Sequence, residues 1–175
     1  SGCIATTLAL AFPAAHVTGI DVSAPALAVA RDNAVALGAS RVAFLQRDLL
    51  RLSSPISSPI SSPRGGREGA FSLLISNPPY VRRSEAAGIH ATVLDHEPSL
   101  ALFVPDADPL VFYRAIAQIG LRSLRSGAPV LVELNSALAA ETRALFESFG
   151  YVDIQVRDDR FGRPRMLRAV CDAAP

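Results

Sequence analysis

The chain of 175 residues contains no lysine and no tryptophan, and it has only two cysteines and three histidines. All 17 of its basic residues are therefore arginines. Without lysine, the chain has no residue for Schiff-base chemistry, for a lysine general base or for a Walker-type phosphate loop. Enzyme classes that need such a lysine within this sequence are excluded.

The small number of cysteines and the low net charge further limit the kinds of site and binding partner that we expect. Cys3 and Cys171 do not have zinc-motif spacing and the histidines are scattered, so we expect no metal site. Two distant cysteines are typical of free thiols, which predicts a cytoplasmic protein. The formal net charge of +1 provides no strongly basic surface, so we expect no direct nucleic-acid binding. The apolar opening 3–12 is too short to span a membrane, and no membrane contact is expected.

Segments of helical and strand character alternate along the chain, whose length suits one domain over 1–175. Strands are predicted at 17–20, 41–46, 71–76, 129–134, 151–156 and 165–170. Helices are predicted at 3–12, 23–37, 108–124 and 137–149. This alternation is typical of an α/β fold with a mostly parallel sheet covered by helices, and the last two strands should form an antiparallel hairpin.

Two segments interrupt the alternation. The Ser/Pro/Gly-rich stretch 53–69 is of low complexity, and we expect an extended, mobile loop inserted into the domain. The stretch 81–107 is a long connection, which predicts a lid or a substrate-binding surface.

The segment Asn77-Pro78-Pro79-Tyr80 directly follows a predicted buried strand. Each proline lacks an N–H and restricts the residue before it, so this loop 77–80 should be stiff and rich in hydrogen-bond acceptors. The Asn77 side chain adds a carbonyl acceptor, and Tyr80 adds a flat aromatic face. These groups suit a planar substrate with two N–H donors: a carboxamide, an adenine 6-amino group or a guanine 2-amino group.

The nitrogen of such a group is a poor nucleophile because its lone pair is delocalised. Holding both N–H bonds and stacking the plane would align the nitrogen with an incoming methyl group, and such positioning can supply roughly 7–11 kcal/mol of a barrier. The alternative is that the loop 77–80 is a plain proline-rich turn.

Asp21, Asp48 and Asn77 follow three successive predicted strands, and ligands of open α/β sheets bind outside such strand ends. Gly2 precedes the first helix and Asp21 follows 19 residues later, a spacing typical of a nucleoside site whose carboxylate binds ribose. Asp48 would then accept from an adenine amino group, with Leu49 packed on the ring. Alternatively, each aspartate caps the element that follows it.

The chain resembles two nested families of known proteins. The motifs shared with Rossmann-type methyltransferases that use S-adenosylmethionine are Ser1-Gly2-Cys3-Ile4-Ala5, Gly19-Ile20-Asp21-Val22-Ser23, Gln46-Arg47-Asp48 and Ser76-Asn77-Pro78-Pro79-Tyr80. The motifs shared more narrowly with HemK/PrmC-type release factor glutamine methyltransferases are Asp95-His96-Glu97-Pro98, Ala101-Leu102, Asp108-Pro109-Leu110, Glu133-Leu134-Asn135 and the ending 159–165. The resemblance spans nearly the whole chain except the insert.

This resemblance implies methylation of the glutamine side chain in the Gly-Gly-Gln motif of a peptide chain release factor, the expected protein partner. By the resemblance, Asn77 and the Pro78 carbonyl hold the glutamine NH2 group, and Tyr80 packs on its amide plane. These three residues are the expected catalytic residues, and Pro79 completes the substrate-binding loop.

The cofactor implied by the resemblance is S-adenosylmethionine. Ser1 and Gly2 would lie under its methionine part, Asp21 would bind the ribose, and Asp48 with Leu49 would bind the adenine. Asn77 would lie beside the methyl group and so also belongs to the expected cofactor site.

The chain departs from the family pattern at its start. The family has a strand and an Asp-x-Gly-Thr-Gly loop immediately before Ser-Gly-Cys, preceded by a small helical domain. The missing first strand lies in the middle of the family's sheet, and its absence would leave backbone groups of its neighbours unpaired. We therefore expect a fragment of a longer protein.

Two other functions stay open at this point. A DNA or RNA amino-methyltransferase could use the same loop, although it would need a basic face or a recognition domain. A non-catalytic module with a decayed methyltransferase fold would fit the incomplete glycine-rich loop.

Overall fold

The computed structural model describes residues 1–52, 56, 71–88 and 90–172. The helices are α1 (Cys3–Ala11), α2 (Ala24–Ala36), α3 (Ala91–His96), α4 (Ser99–Leu102), α5 (Val111–Ser123) and α6 (Ala139–Ser148). The strands are β1 (Val17–Asp21), β2 (Val42–Gln46), β3 (Leu74–Ser76), β4 (Val81–Arg82), β5 (Phe103–Val104), β6 (Pro129–Glu133), β7 (Val152–Asp158) and β8 (Pro164–Val170). Three 3₁₀ helices cover Leu49–Arg51, Arg83–Gly88 and Ser136–Leu138.

The chain divides into two compact units, and the described part of the first is 1–52. Strands β1 and β2 pair in parallel from Val17 opposite Val42 to Asp21 opposite Gln46. Within the described residues of this unit, no third strand joins the pair. Its buried residues are mostly small, with Ala9, Ala34 and Ala39 packed against half-buried Val17, Val42 and Phe44.

The second unit contains a mixed sheet in the order β3-β6-β8-β7. Strand β3 is parallel to β6, whereas β8 is antiparallel to both of its neighbours. Large apolar side chains, including Tyr113, Ile116, Phe146 and Leu167, are almost completely buried here. A separate short parallel pair joins β4 to β5. The second unit therefore holds the substantial core of the described chain.

The predicted α/β fold and its antiparallel C-terminal hairpin are confirmed. The predicted start of α2 is also confirmed, because the Ser23 hydroxyl accepts a hydrogen bond from the Ala26 N–H at 3.2 Å and caps the helix. Gly38 ends this helix in a left-handed conformation with φ of 73°, which glycine adopts at little cost.

Three predicted element bounds are wrong. The strand predicted at 71–76 is regular only over Leu74–Ser76, and Phe71 forms an isolated bridge with Leu124 instead. The helix predicted from 108 begins at Val111, because Asp108 and Pro109 lie in a turn before it. The helix predicted at 137–149 begins with a 3₁₀ turn, so α6 covers only Ala139–Ser148.

The long connection predicted at 81–107 is built from short elements: β4, a 3₁₀ helix, α3, α4 and β5. The single domain predicted over 1–175 stays a prediction. The predicted insert 53–69 lies outside the described residues, except for Ile56. Among the described helices, none combines the length and apolar character needed to cross a membrane.

Candidate functional site

The loop 77–80 begins where β3 ends, at the carboxyl edge of the second unit's sheet. Pro78 is buried and anchors the loop, whereas Asn77 is exposed. The Asn77 side chain forms no hydrogen bond with the part of the chain that the structure describes. Its amide is therefore available to a ligand, and that it holds a substrate amide stays a prediction.

Tyr80 is held at both ends by Glu133, the last residue of β6, and by Asn135, two residues later. Its phenol O–H donates to Glu133 Oε1 at 2.6 Å, and its backbone carbonyl accepts from Asn135 Nδ2 at 3.0 Å. The Arg165 guanidinium lies 3.5 Å from the same phenol oxygen. The pKa of Tyr80 is raised to about 12. Burial is the largest cause, and the hydrogen bond to Glu133 is the second largest. The phenol therefore stays protonated at neutral pH and can keep donating to Glu133.

A second tyrosine supports the segment that holds Tyr80. Tyr113 on α5 is fully buried, and its O–H donates to the Glu133 carbonyl at 3.0 Å. The same oxygen accepts from the Asn135 N–H at 3.2 Å. Burial raises the pKa of Tyr113 well above its ordinary value. The end of β6 is thus fixed from the interior side by a neutral phenol that both donates and accepts.

Glu85, on the 3₁₀ helix Arg83–Gly88, links the chain after the loop 77–80 to the same segment. Its carboxylate accepts from the Arg82 N–H and from the Arg82 guanidinium, each at 2.9 Å, and from Asn135 Nδ2 at 3.1 Å. The hydrogen bond from the Arg82 guanidinium is the largest cause that holds the pKa of Glu85 below its ordinary value. Asn135 thus joins Tyr80 to Glu85.

The sequence did not reveal that Glu133 and Asn135 hold Tyr80, or that Glu85 bonds Asn135. The motif Glu133-Leu134-Asn135 carried the family resemblance, but the contact partners depend on how the strands pair. Ser76 lies opposite Val132 in the parallel β3–β6 ladder, so the residues just after both strands emerge side by side. This adjacency explains why Glu133 and Asn135 lie beside Tyr80, and it carries no information about Glu85.

In the first unit, Asp21 ends β1, and Asp48 lies two residues after the neighbouring strand β2. Asp21 is exposed, and its Oδ1 accepts from the Ser23 N–H at 2.8 Å. Asp48 Oδ1 accepts from the Leu50 N–H at 3.0 Å, and its Oδ2 lies 3.3 Å from the Arg51 Nε. One oxygen of each carboxylate thus bonds a local backbone N–H, but only Asp48 caps the element that follows it, because α2 is capped by Ser23. Asp21 Oδ2 has no hydrogen bond within the described residues.

Ser1 and Gly2 form the start of α1. Gly2 is left-handed, with φ of 69°, and an added Cβ would lie 2.7 Å from Ala30 Cβ. Glycine is therefore required here for close packing on α2. The Ser1 carbonyl accepts from Asn33 Nδ2 at 2.9 Å, and Leu49 is half-buried in its 3₁₀ turn.

The predicted cofactor residues other than Asn77 belong to the first unit, and the loop 77–80 belongs to the second. That all of them form a single nucleoside-sized cleft stays a prediction. Within the described residues, no three His, Cys, Asp or Glu side chains cluster in a way that could hold a metal ion.

Comparison with curated proteins identifies relatives with similar sequences. The chain is 41 % identical over 169 residues to a release factor glutamine methyltransferase of Bacteroides thetaiotaomicron, covering 97 % of the chain and 56 % of the relative. It is 42 % identical over 160 residues to the protein of the same name in Chlorobaculum tepidum, covering 91 % of the chain and 50 % of the relative. The chain resembles release factor glutamine methyltransferases over nearly all of its length. The resemblance predicted from the motifs is confirmed.

The chain spans between about half and three fifths of the length of the curated relatives that it matches. It covers 58 % of a third relative, the release factor glutamine methyltransferase of Cereibacter sphaeroides. No protein-family model matches the chain.

Solved structures support the fold. A methyltransferase from Pyrococcus furiosus superposes with a TM-score of 0.59 at 17 % identity, over 97 % of the chain and 70 % of that protein. Magnesium protoporphyrin IX methyltransferase from Synechocystis, solved with bound SAM, superposes with a TM-score of 0.54 at 18 % identity, over 98 % of the chain and 65 % of that protein. The predicted Rossmann-like methyltransferase fold is confirmed.

Proposed function

We propose that the chain is the catalytic domain of an S-adenosylmethionine-dependent protein methyltransferase, spanning 1–175 with an insert at 53–69. Its substrate is the glutamine side-chain amide in the Gly-Gly-Gln motif of a peptide chain release factor, and it acts in the cytoplasm. One observation carries the proposal: an exposed Asn77 precedes two prolines and a firmly anchored Tyr80, in a chain about 40 % identical to release factor glutamine methyltransferases.

The loop 77–80 has groups suited to a carboxamide. Asn77 Oδ1 and the Pro78 carbonyl oxygen each accept one of the two amide N–H bonds, and neither proline offers a competing backbone donor. The Tyr80 ring packs on the amide plane and restricts its rotation. With the amide held in this way, its nitrogen is aligned for attack without a general base in the first step.

The residues of the first unit fit the proposed methyl donor. Asp21 is exposed and retains one carboxylate oxygen without a hydrogen bond in the described chain, which suits the donor hydroxyls of a ribose. Ser1 and Gly2 would hold the methionine part, and Asp48 with Leu49 the adenine. S-adenosylmethionine would supply an electrophilic methyl carbon to the held amide nitrogen: the N–C bond would form as the C–S bond broke, with the electron pair left on sulfur and the amide proton released to solvent.

The direct test is to incubate the complete protein with isotope-labelled S-adenosylmethionine and purified release factors. Mass spectrometry of the digested release factor should find one labelled methyl group on the glutamine of the Gly-Gly-Gln motif. A release factor with that glutamine changed to alanine is the matched control and should carry no label. Labelling of tRNA, rRNA or DNA in parallel samples, with none on the release factor, would replace the proposal with the nucleic-acid alternative.

A further inference from the structure

We propose that Glu133 is a positioning residue of the methyl-transfer reaction, which acts by fixing the Tyr80 ring, and that Asn135 fixes the same residue through its backbone. This inference rests on the proposed function. Neither residue belongs to the loop 77–80, and the ring they hold is the surface expected to pack on the substrate amide.

The first support is the hydrogen bond itself. The Tyr80 O–H is 2.6 Å from Glu133 Oε1, a length typical of a strong bond between a hydroxyl and an ionised carboxylate. A carboxylate can only accept hydrogen bonds, so the phenol must donate and has one defined direction. Both side chains are half-buried, which limits competition from water.

The second support is that Tyr80 is held at two points. Asn135 Nδ2 donates to the Tyr80 backbone carbonyl at 3.0 Å, so the main chain and the distal end of the side chain are both tied to the segment 133–135 at the end of β6. Pro79, which precedes Tyr80, further limits the main chain. A ring tethered at its hydroxyl and at its backbone cannot swing away from the residues that hold it without breaking a hydrogen bond.

The third support is that the holding residues are themselves held. Glu133 ends β6, whose register with β3 sets it beside the loop 77–80. The buried Tyr113 hydroxyl contacts the backbones of both Glu133 and Asn135. The carboxylate is thus presented from a rigid element, which is what precise placement of a site residue needs.

The functional consequence is a specific kinetic pattern. Glu133 bonds Tyr80 and lies outside the loop 77–80 that is proposed to hold the substrate. Its removal should therefore misplace the ring in the bound complex with little effect on release factor affinity. Misplacing a positioning group by about 1 Å can cost up to about a hundredfold in rate. We therefore expect a fall in kcat with KM changed by less than about threefold.

The test compares Glu133→Ala, Tyr80→Phe and the double variant in the complete protein. Each single variant should lower kcat by roughly ten- to a hundredfold, and the double variant should be no slower than the slower single variant. Glu133→Gln retains an oxygen acceptor and should recover most of the lost kcat. The matched control is Glu147→Ala, which removes an exposed carboxylate paired with Arg143 on α6 and should leave kcat unchanged.

A second readout does not depend on activity. In protein labelled with ¹³C at the tyrosine Cζ, the Tyr80 resonance is identified by its loss in Tyr80→Phe. It should move in Glu133→Ala and stay in place in Glu147→Ala. An unchanged Tyr151 resonance shows that the variant is folded, because Tyr151 is buried in the same unit and bonded to the Ala117 carbonyl.

The outcomes separate the two proposals. Three results would overturn the positioning role and leave the methylation proposal in place. They are an unchanged kcat in Glu133→Ala, losses of kcat that multiply in the double variant, and a Tyr80 resonance that does not move in Glu133→Ala. Absence of release factor methylation by the unaltered protein contradicts the proposed function, and with it the kinetic part of this inference, even if the Tyr80 resonance moves.

Discussion

Asn77 is the residue on which the proposed chemistry depends most directly. Asn77→Ala removes the side-chain oxygen that would hold one amide N–H in the transition state. Loss of one such preorganised hydrogen bond typically lowers kcat by about 10²–10³. Turnover of the complete protein with a release factor substrate measures the effect.

The control for Asn77 is Ser72→Ala, an exposed substitution shortly before β3 that should leave turnover unchanged. If Asn77→Ala turned over at the wild-type rate, the side chain would have no part in holding the substrate.

Asp21 provides the corresponding test of the cofactor site. Asp21→Ala should weaken S-adenosylmethionine binding by at least about tenfold, because hydrogen bonds to a charged group contribute about 1.5–3 kcal/mol. Isothermal titration calorimetry measures the affinity. Asp32→Ala, an exposed change on α2, is the control, and equal affinities for both variants would argue against ribose binding by Asp21.

Tyr80 should titrate far above an ordinary tyrosine, with a pKa of about 12. Its unfolded value is about 10, so the unfolded chain releases this proton first. The stabilising contribution is therefore complete below about pH 10 and is lost as the pH rises toward about 12. Near pH 11, the native wild-type protein and native Tyr80→Phe should have nearly the same tyrosinate absorbance, because Tyr80 is still protonated. After unfolding at the same pH, the wild-type protein should absorb more than Tyr80→Phe.

Glu133→Ala should bring that Tyr80 absorbance to lower pH, because the hydrogen bond to Glu133 is one of the causes that raise the pKa. A half-developed Tyr80 signal in the native protein near pH 10 would show that the pKa is ordinary and that the phenol is not held.

At the scale of elements, α5 packs more tightly than its sequence suggests. Gly120 lies inside this helix, where alanine would usually be more stable by up to about 1 kcal/mol. Here an added Cβ would clash with the Tyr151 hydroxyl, which donates to the Ala117 carbonyl at 2.8 Å. Gly120→Ala should therefore lower the free energy of unfolding by about 1–3 kcal/mol, measured by urea denaturation.

Two variants check this cause. Gln118→Ala changes an exposed position of the same helix and should be neutral or slightly stabilising. In a Tyr151→Phe background, which removes the hydroxyl, Gly120→Ala should cost less. A cost that is the same in both backgrounds would show that the clash is not the cause.

The connection 81–107 shows why element prediction failed in places. Its elements are only two to six residues long, too short for a hydrophobic period to be recognised. They are held by tertiary contacts: β4 pairs with β5, and Glu85 binds Arg82 and Asn135. The segment was predicted to be a lid or substrate surface, and that role stays a prediction.

At the scale of the whole molecule, the two units should differ in local stability. In the second unit, β6 and β8 each have a neighbour on both sides and pack under large buried side chains such as Tyr113 and Phe146. In the described part of the first unit, β1 and β2 form a two-stranded sheet over mostly small buried residues. Isolated two-stranded sheets are marginally stable.

Native-state hydrogen exchange of the 175-residue chain should therefore find the amides of β1 and β2 at least about tenfold less protected than those of β6 and β8. Mass spectrometry with peptide-level resolution can measure this difference. Equal protection of both sets would mean that the units open as one cooperative body.

The sequence by itself determined the α/β class, most helices and strands, and the loop 77–80. These depend on local physics: Ser23 caps its own helix, and Pro78 and Pro79 restrict the loop wherever it lies in the fold. The motifs around them also sufficed to show the resemblance to release factor glutamine methyltransferases.

Only the tertiary structure decided which residues support that loop. Glu133 and Asn135 are 53 and 55 residues from Tyr80 in the chain, and they reach it because β3 and β6 pair in one register. Gly120 likewise meets Tyr151 only through packing. Hydrogen bonds and close contacts between distant segments depend on strand order and register, which are set by burial of the whole core and not by any local stretch of sequence.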